Sequence, residues 1–586
     1  MRLASSKSQT IINVYLIIFD LIFRVFGSKR GACCPARQVL QVLFYKFSLS
    51  RTRGNECSVK NSIMKKIHSI LCSSPSLRGL GGVLLFLCLP AQAQYWWGAS
   101  VGLGANQPYT DQPDFDLHVQ DENNQLVPLF LSSDGTYMWS DSAFVFSAEN
   151  GEIHTSYPLT TVRAGSTLRD AYLAAQAKYF PASGLLPDTL FFTMPQYNTW
   201  IELMYNQNQE DILRYAHAII DNGFPAGVLM IDDNWQRYYG NFDFKAERFP
   251  DPKAMVNELH DLGFRVMLWV CPFVSPDSPE YRDLAAKGYL LQNPNGGTAI
   301  LNWWNGYSAC YDLTNPDAAA HLVAQLQKMQ TEYGIDGFKF DAGDNNCYAS
   351  APIRAFNPSA TTVDHTTSWA QIGFSFPFNE YRACWKMGGQ PLVQRLGDKD
   401  YSWEAVQSLI PCMTTAGLLG YAYACPDMIG GGQWASFLGI ASDEFNQTLI
   451  VRSAQVHALM PMMQFSVAPW RILSEENLRI VRDMARLHAE FAPYIMDYAR
   501  HAAQTGEPIV RCMEYQFPHQ GFAECKDQFM LGDRYLVAPV VTDATSRTVV
   551  LPKGTWRDEQ GKRYRGGRTY TISAPLARLP YFEKIK

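Results

Sequence analysis

The 586-residue chain has no large excess of charge of either sign: 50 basic against 55 acidic side chains leave a net charge of −5. A strongly basic face is absent, which argues against nucleic acid as the main partner. No G-x-G-x-x-G follows an early strand, so the dinucleotide-binding reading has no fingerprint. The eleven histidines form no H-x-H or H-E-x-x-H, and the thirteen cysteines form no C-x-x-C, so a resident metal centre has no ligand pattern. No internal repeat or low-complexity tract occurs, and 47% hydrophobic with 13% aromatic content is usual for folded protein. Disorder is thereby excluded for most of the chain. The length exceeds what one core supports, predicting one large domain with smaller ones beside it.

Residues 64–93 read as a secretory signal, with Met64-Lys65-Lys66 as basic start, Gly82 to Leu89 as apolar stretch and Ala91-Gln92-Ala93 as cleavage site. The mature chain then begins near Gln94, and export to the periplasm or the medium is expected. Residues 1–63 are read as an over-long gene start, the alternative being a second targeting segment. Beyond the signal no apolar run is long enough to span a bilayer. Eight cysteines follow the leader region; their scatter suits isolated buried thiols, and Cys512 with Cys525, flanking an expected hairpin, is the best-placed pair for a disulfide.

From 94 to 186 short alternating runs such as Leu126–Leu131 predict a small β-rich region. Between 187 and 505 apolar strand-like runs alternate with amphipathic helical stretches: Gly227–Ile231, Phe264–Val270 and Gly337–Phe340 as strands, Pro252–Leu262 and Asp317–Tyr333 as helices. This alternation over some 300 residues predicts an α/β fold, a (β/α)8 TIM barrel. Residues 506–586 turn β-like again and predict an antiparallel β-sandwich domain.

Functional groups of a parallel barrel gather at the carboxyl ends of its strands. Asp232 and Asp233 follow the run ending at Ile231, Trp269 follows Leu268, Asp341 and Asp344 follow Phe340, Arg395 and Asp398 follow Val393, and Asp427 follows Ala424. Several carboxylates beside Trp and Arg, without histidine ligands, suit glycoside hydrolysis. That reaction needs one ionised carboxylate as nucleophile and one protonated carboxyl to assist the leaving group, and no cofactor.

The string Gly337-Phe-Lys-Phe-Asp341-Ala-Gly-Asp344 resembles the nucleophile signature of glycoside hydrolase family 31. Six further motifs occur in that family's order: Val228 to Trp235, Arg248 to Pro252, Leu268 to Pro272, Tyr311 to Pro316, Gln528 to Asp533 and Val537 to Pro539. The resemblance spans about residues 190–586. It implies a retaining, exo-acting α-glycosidase on a (β/α)8 barrel between β domains, with a small carbohydrate as partner. By the same resemblance Asp341 is the nucleophile, and Asp398, after Gly397 and five residues before Trp403, is the acid/base in preference to Asp400. Asp232 and Asp427 match sugar-binding positions, completed by Trp269, Trp304, Lys339 and Arg395. Cys425 to Gly430 and Met463 to Arg471 resemble the branch that contains α-galactosidases and the myogenesis-regulating glycosidase, which points to terminal α-galactosides. α-Glucosidase, α-xylosidase and transglycosylase activity remain open, as does a non-catalytic carbohydrate-binding role. Asp233 reads equally as a loop anchor, and His457 as a core histidine.

Overall fold

A computed structural model describes residues 94–119 and 125–586; the expected signal sequence and everything before it lie outside the described residues. The first strands form two small sheets. One runs Trp96–Ser100, Gln125–Ser132, Thr136–Trp139, Thr160–Arg163, and the other Gln112–Asp116, Val145–Glu149, Glu152–Thr155. Phe115, Phe130, Phe144 and Phe146 fill the space between them, with Phe130 and Phe146 edge to face at 5.0 Å.

The eight-stranded sheet that follows is parallel throughout and visits its strands in chain order. They are β1 (Gln196–Asn198), β2 (Val228–Ile231), β3 (Arg265–Val270), β4 (Gly337–Phe340), β5 (Phe378–Tyr381), β6 (Val393–Arg395), β7 (Ala424–Cys425) and β8 (Gln464–Phe465). Gln464 pairs with Gln196, joining β8 to β1. Just past β7 a single parallel bridge, Met428 to Gln464, brings the sheet round on itself, with the Ile429 N–H donating to the Gln464 carbonyl at 2.8 Å. The expected TIM barrel is thus present.

The helices α1 (Gln209–Asp221), α2 (Pro252–Asp261), α3 (Pro316–Tyr333), α4 (Thr362–Ile372), α5 (Trp403–Leu418), α6 (Gln447–Ala458) and α7 (Glu475–Thr505) surround the sheet. Each starts where the sequence supplies an oxygen for its free N–H groups: Asn208, Asp251, Asn315, Ser402, Asn446 and Ser474 cap six of them, and Thr361 with Asp364 forms a capping box on α4. One connection departs from the (β/α)8 pattern. No helix joins β5 to β6; Cys384–Trp385 instead adds a parallel strand to the N-terminal sheet beside Gln125–Leu126. The N-terminal region covers the flank where that helix would lie, burying Trp385 (2% exposed) against Phe130 and its neighbours. A second departure is the excursion between β3 and α3, where Leu301–Trp303 and Gly306–Cys310 make a hairpin paired with Phe273–Val274.

Residues from Val510 onward form a six-stranded antiparallel sheet and a two-stranded ribbon, Ser546–Leu551 with Arg568–Ser573, around Met530, Leu536, Val549, Trp556 and Phe582. Cys512 and Cys525 are free thiols, so the pair best placed for a disulfide is not bridged. Met513–Gln516 is a helical turn rather than a hairpin arm, and the Cys525 thiol faces Asp527. His457 is fully buried beside His488; burial holds both imidazoles neutral, at about 3 and about 4. Among the described residues no helix is long and apolar enough to cross a membrane.

The terminal domain is fastened by one buried cation. Arg452 on α6 is 1% exposed and donates through Nη2 to the carbonyls of Ala544 (2.7 Å) and Ala574 (2.8 Å), while Gln455 donates to that of Leu576 (2.6 Å). Arg452→Ala strands those carbonyls in a dry interface and should cost about 3 kcal/mol. A lowered urea midpoint for the C-terminal sheet checks this.

Candidate active site

The carboxyl ends of β2 to β7 converge on one cluster. Asp341 directly follows β4, its N–H still bonded to the Val270 carbonyl at 2.8 Å, so the strand ladder fixes its Cα. The chain then turns through left-handed backbone at Ala342 (φ 56°) and Gly343 (φ 76°). Only glycine fits at 343, because a Cβ there would lie 2.4 Å from the Trp369 ring. Asp427 (φ 72°) and Asn234 (φ 78°), just beyond β7 and β2, share this conformation. Backbone held in a sparsely populated region at three strand ends is a mark of a functional rim.

Asp341 is buried and heavily contacted. Trp269 Nε1–H donates to Oδ2 at 2.7 Å and the Ala342 N–H to Oδ1 at 3.0 Å. Lys339 Nζ stands 3.8 Å from Oδ2, and Arg382 Nε 3.8 Å from Oδ1. Burial alone would raise this carboxyl, but Lys339, Arg382, Arg395 and the Trp269 bond outweigh it and hold the group down at about 2. Lys339 is itself buried and bonded to Asp232 Oδ2 at 2.6 Å; burial works against its charge, yet Asp232 and Asp341 together keep its ammonium above the ordinary lysine range. Asp232 and Asp341 are therefore held on either side of one ammonium.

Asp398 has a different setting. Its side chain is 26% exposed against 10% for Asp341, and Oδ1 accepts from Arg395 Nη1 at 2.6 Å. The same Nη1 reaches Asp427 Oδ1 at 2.9 Å, while the Lys399 and Gly432 N–H groups donate to Asp427 Oδ2 at 2.8 and 2.9 Å. Burial, with the neighbouring Asp398 charge, pushes Asp427 up to about 6 against the pull of Arg395. Asp400 is exposed, as a solvated carboxylate would be.

The structure brings all eight sequence-derived site residues to this end of the barrel, though not in equivalent roles. Trp269 lies within β3, and its contribution to the site is an N–H bond to Asp341. Trp304, at the tip of the Leu301–Cys310 hairpin, is 47% exposed and stacks on the Arg382 guanidinium at 4.7 Å. Asp233 anchors that hairpin: Oδ2 accepts from Tyr239 Oη (3.1 Å) and Asn305 Nδ2 (2.9 Å), and burial next to Asp232 pushes its carboxyl up to about 7. Sequence reasoning missed Arg382 and Glu380. Glu380 lies in β5 and Arg382 directly follows it; the Phe-Asn-Glu-Tyr of that strand is too polar to read as a strand, so nothing marked the residues at its end. Among the described residues no group of His, Cys, Asp or Glu is arranged to hold a metal ion.

Two family patterns match the chain in this order: "Glycosyl hydrolases family 31 TIM-barrel domain" over residues 192–498 and "Glycosyl hydrolase family 31 C-terminal domain" over 506–585. The chain belongs to glycoside hydrolase family 31. Among curated proteins, the mouse (Mus musculus) myogenesis-regulating glycosidase is 32% identical over 413 residues, 69% of this chain and 57% of that protein. An α-xylosidase of Emericella nidulans is 26% identical over 66% of this chain and 51% of its own length. The chain thus spans little more than half the length of these curated relatives. Of solved structures, a Flavobacterium johnsoniae dextranase complexed with glucose superposes with a TM-score of 0.73 at 20% identity, over 84% of this chain and 65% of that one. A soil-metagenome α-xylosidase complexed with xylose gives 0.71 at 22% identity, over 84% and 78%. At such identities the structural likeness speaks for the fold.

Proposed function

We propose that the protein is a retaining, exo-acting α-glycosidase with Asp341 as nucleophile, Asp398 as acid/base and terminal α-galactosides as substrates. The observation that carries the mechanism is the unequal treatment of two carboxyls at one rim. Asp341 is buried among three cations and a Trp N–H and stays ionised, whereas Asp398 is more open to water and to an incoming glycosidic oxygen. In the first step an Asp341 oxygen bonds to the anomeric carbon as the glycosidic bond breaks, and the leaving oxygen takes the Asp398 proton. In the second, Asp398 removes a proton from water, whose oxygen bonds to the anomeric carbon and releases Asp341. Two inversions give net retention. Asp232, Lys339, Arg382 and Asp427 line the rim with donors and acceptors suited to sugar hydroxyls, and Trp304 offers an exposed ring face to the sugar or its aglycone. The sequence likeness to the α-galactosidase branch supports galactose. The leader supports export, which N-terminal sequencing of the secreted protein would check.

Initial rates on p-nitrophenyl α-galactoside, α-glucoside and α-xyloside, with the product anomer followed by proton NMR, test the reading. Preference for the galactoside with α-galactose released first is expected. A first-formed β-anomer would contradict the mechanism, and preference for glucoside or xyloside would leave the mechanism and overturn the substrate.

A further inference from the structure

Below the rim the barrel interior holds a carboxylate for which the reaction above has no use. Glu380, on β5, is fully buried. Its Oε2 accepts from Gln464 Nε2 at 2.7 Å, and that amide also reaches Gln196 Oε1 at 2.9 Å, which ties the group to β8 and β1. Its Oε1 has no hydrogen-bond partner and stands 3.5 Å from Arg395 Nε, which has none either. The two atoms without a hydrogen bond, one on each of two buried groups of opposite charge, face each other. From the other end of the same guanidinium, Nη1 contacts Asp398 and Asp427. Gln464, Glu380, Arg395 and Asp398 form one continuous line from the barrel floor to the solvent-facing carboxyl.

Arg395 stands 2.6 Å from Asp398, and a cation so placed favours the charged form of any carboxyl it faces, whereas a general acid must carry its proton at the working pH. We propose that Glu380 is a positioning residue for the acid/base: it orients Arg395 from below and offsets its charge, so that Asp398 keeps its proton. This rests on the reading of Asp398 as acid/base. The other charged and titratable groups near this line are Lys339 and Asp341 from β4, Arg382 at the end of β5, Cys425 and Asp427 from β7, and Lys399 beside Asp398. Lys339 and Arg382 are engaged with Asp232, Asp341 and Asp344, so Arg395 is the cation in direct contact with Asp398. Burial pushes the Glu380 carboxyl above its ordinary range, against the pull of Arg395 and Lys339 toward the charged form.

Glu380→Gln keeps the shape and an acceptor for Gln464 but removes the charge. Less offset, Arg395 then favours the Asp398 carboxylate, and the basic limb of kcat/KM on the best p-nitrophenyl glycoside should move down by about one pH unit. On the 2,4-dinitrophenyl glycoside, whose leaving group needs no proton, the limb should stay in place. Glu380→Asp restores the charge and is expected to keep the limb within about 0.3 unit of wild type at reduced kcat, which serves if the Gln variant does not fold. An unmoved limb in Glu380→Gln with kcat lowered equally at every pH, or a displaced limb in Glu380→Asp, overturns the proposal. Failure of the underlying reading looks different: Asp398→Ala itself would keep its rate on poor leaving groups.

Discussion

Asp341→Asn should lower turnover by about 10⁴-fold or more while leaving the barrel folded. The amide is nearly isosteric but carries no charge, so nothing remains to bond to the anomeric carbon. The surroundings make the loss worse. Trp269 Nε1–H and the Ala342 N–H both donate to Asp341, and an asparagine has one acceptor oxygen to offer the two. The fold should survive because Lys339 keeps its 2.6 Å bond to Asp232 and Arg382 keeps Asp344 at 3.1 Å. A pH signature accompanies the change. The folded Asp341 carboxyl sits at about 2, below its unfolded value of about 3.9, so its ionisation stabilises the native state above the unfolded value. That contribution disappears as pH falls through the folded value. The melting difference between wild type and variant should be flat near neutrality and shrink on acidification below about pH 4. Residual activity within tenfold of wild type would contradict the nucleophile assignment.

Asp398→Ala should separate substrates by leaving group. On alkyl glycosides, whose leaving oxygen must be protonated, a loss of about 10³-fold or more is expected. A 2,4-dinitrophenyl glycoside should still glycosylate the enzyme at a rate near wild type, giving a burst of dinitrophenol and then a slow steady state, because water now lacks its base. Azide needs no deprotonation and should restore the second step, yielding a glycosyl azide of retained configuration. The pocket tolerates the deletion, since Arg395 retains Asp427 at 2.9 Å and Glu380 at 3.5 Å. Asp400→Ala is the control: that side chain is exposed and should leave both steps within a factor of two.

The strands that were legible in the sequence are those buried on both faces. Val228–Ile231 and Arg265–Val270 are almost wholly apolar, and β4 interrupts its apolar run only at Lys339, which points to Asp232 and so announces the site. The strands that were not legible are polar or very short. β5 buries the polar Asn379 and Glu380 on its two faces, and β7 and β8 are two residues each, closed by the Met428–Gln464 bridge. No local pattern encodes a strand that short; its partners impose it. The missing helix between β5 and β6 is likewise a tertiary matter, because what covers that flank is the N-terminal sheet more than 240 residues away, as the Gln125 bonds to the Arg382 and Arg395 carbonyls show. At the site, carboxylates one step beyond apolar runs were readable one by one. Which of them shares a cation was not: Arg395 meets Asp398 three residues on, Asp427 thirty-two residues on and Glu380 on another strand.

The most direct test of the central claim is to trap the covalent intermediate. Incubation with 5-fluoro-α-D-galactosyl fluoride slows release of the sugar relative to its attachment, and peptide mapping by mass spectrometry locates the ester. The expected result is stoichiometric labelling of the peptide that carries Asp341, lost in Asp341→Asn and slowly reversed in wild type. A label on any other carboxyl, or turnover to an inverted product with no adduct, would contradict it.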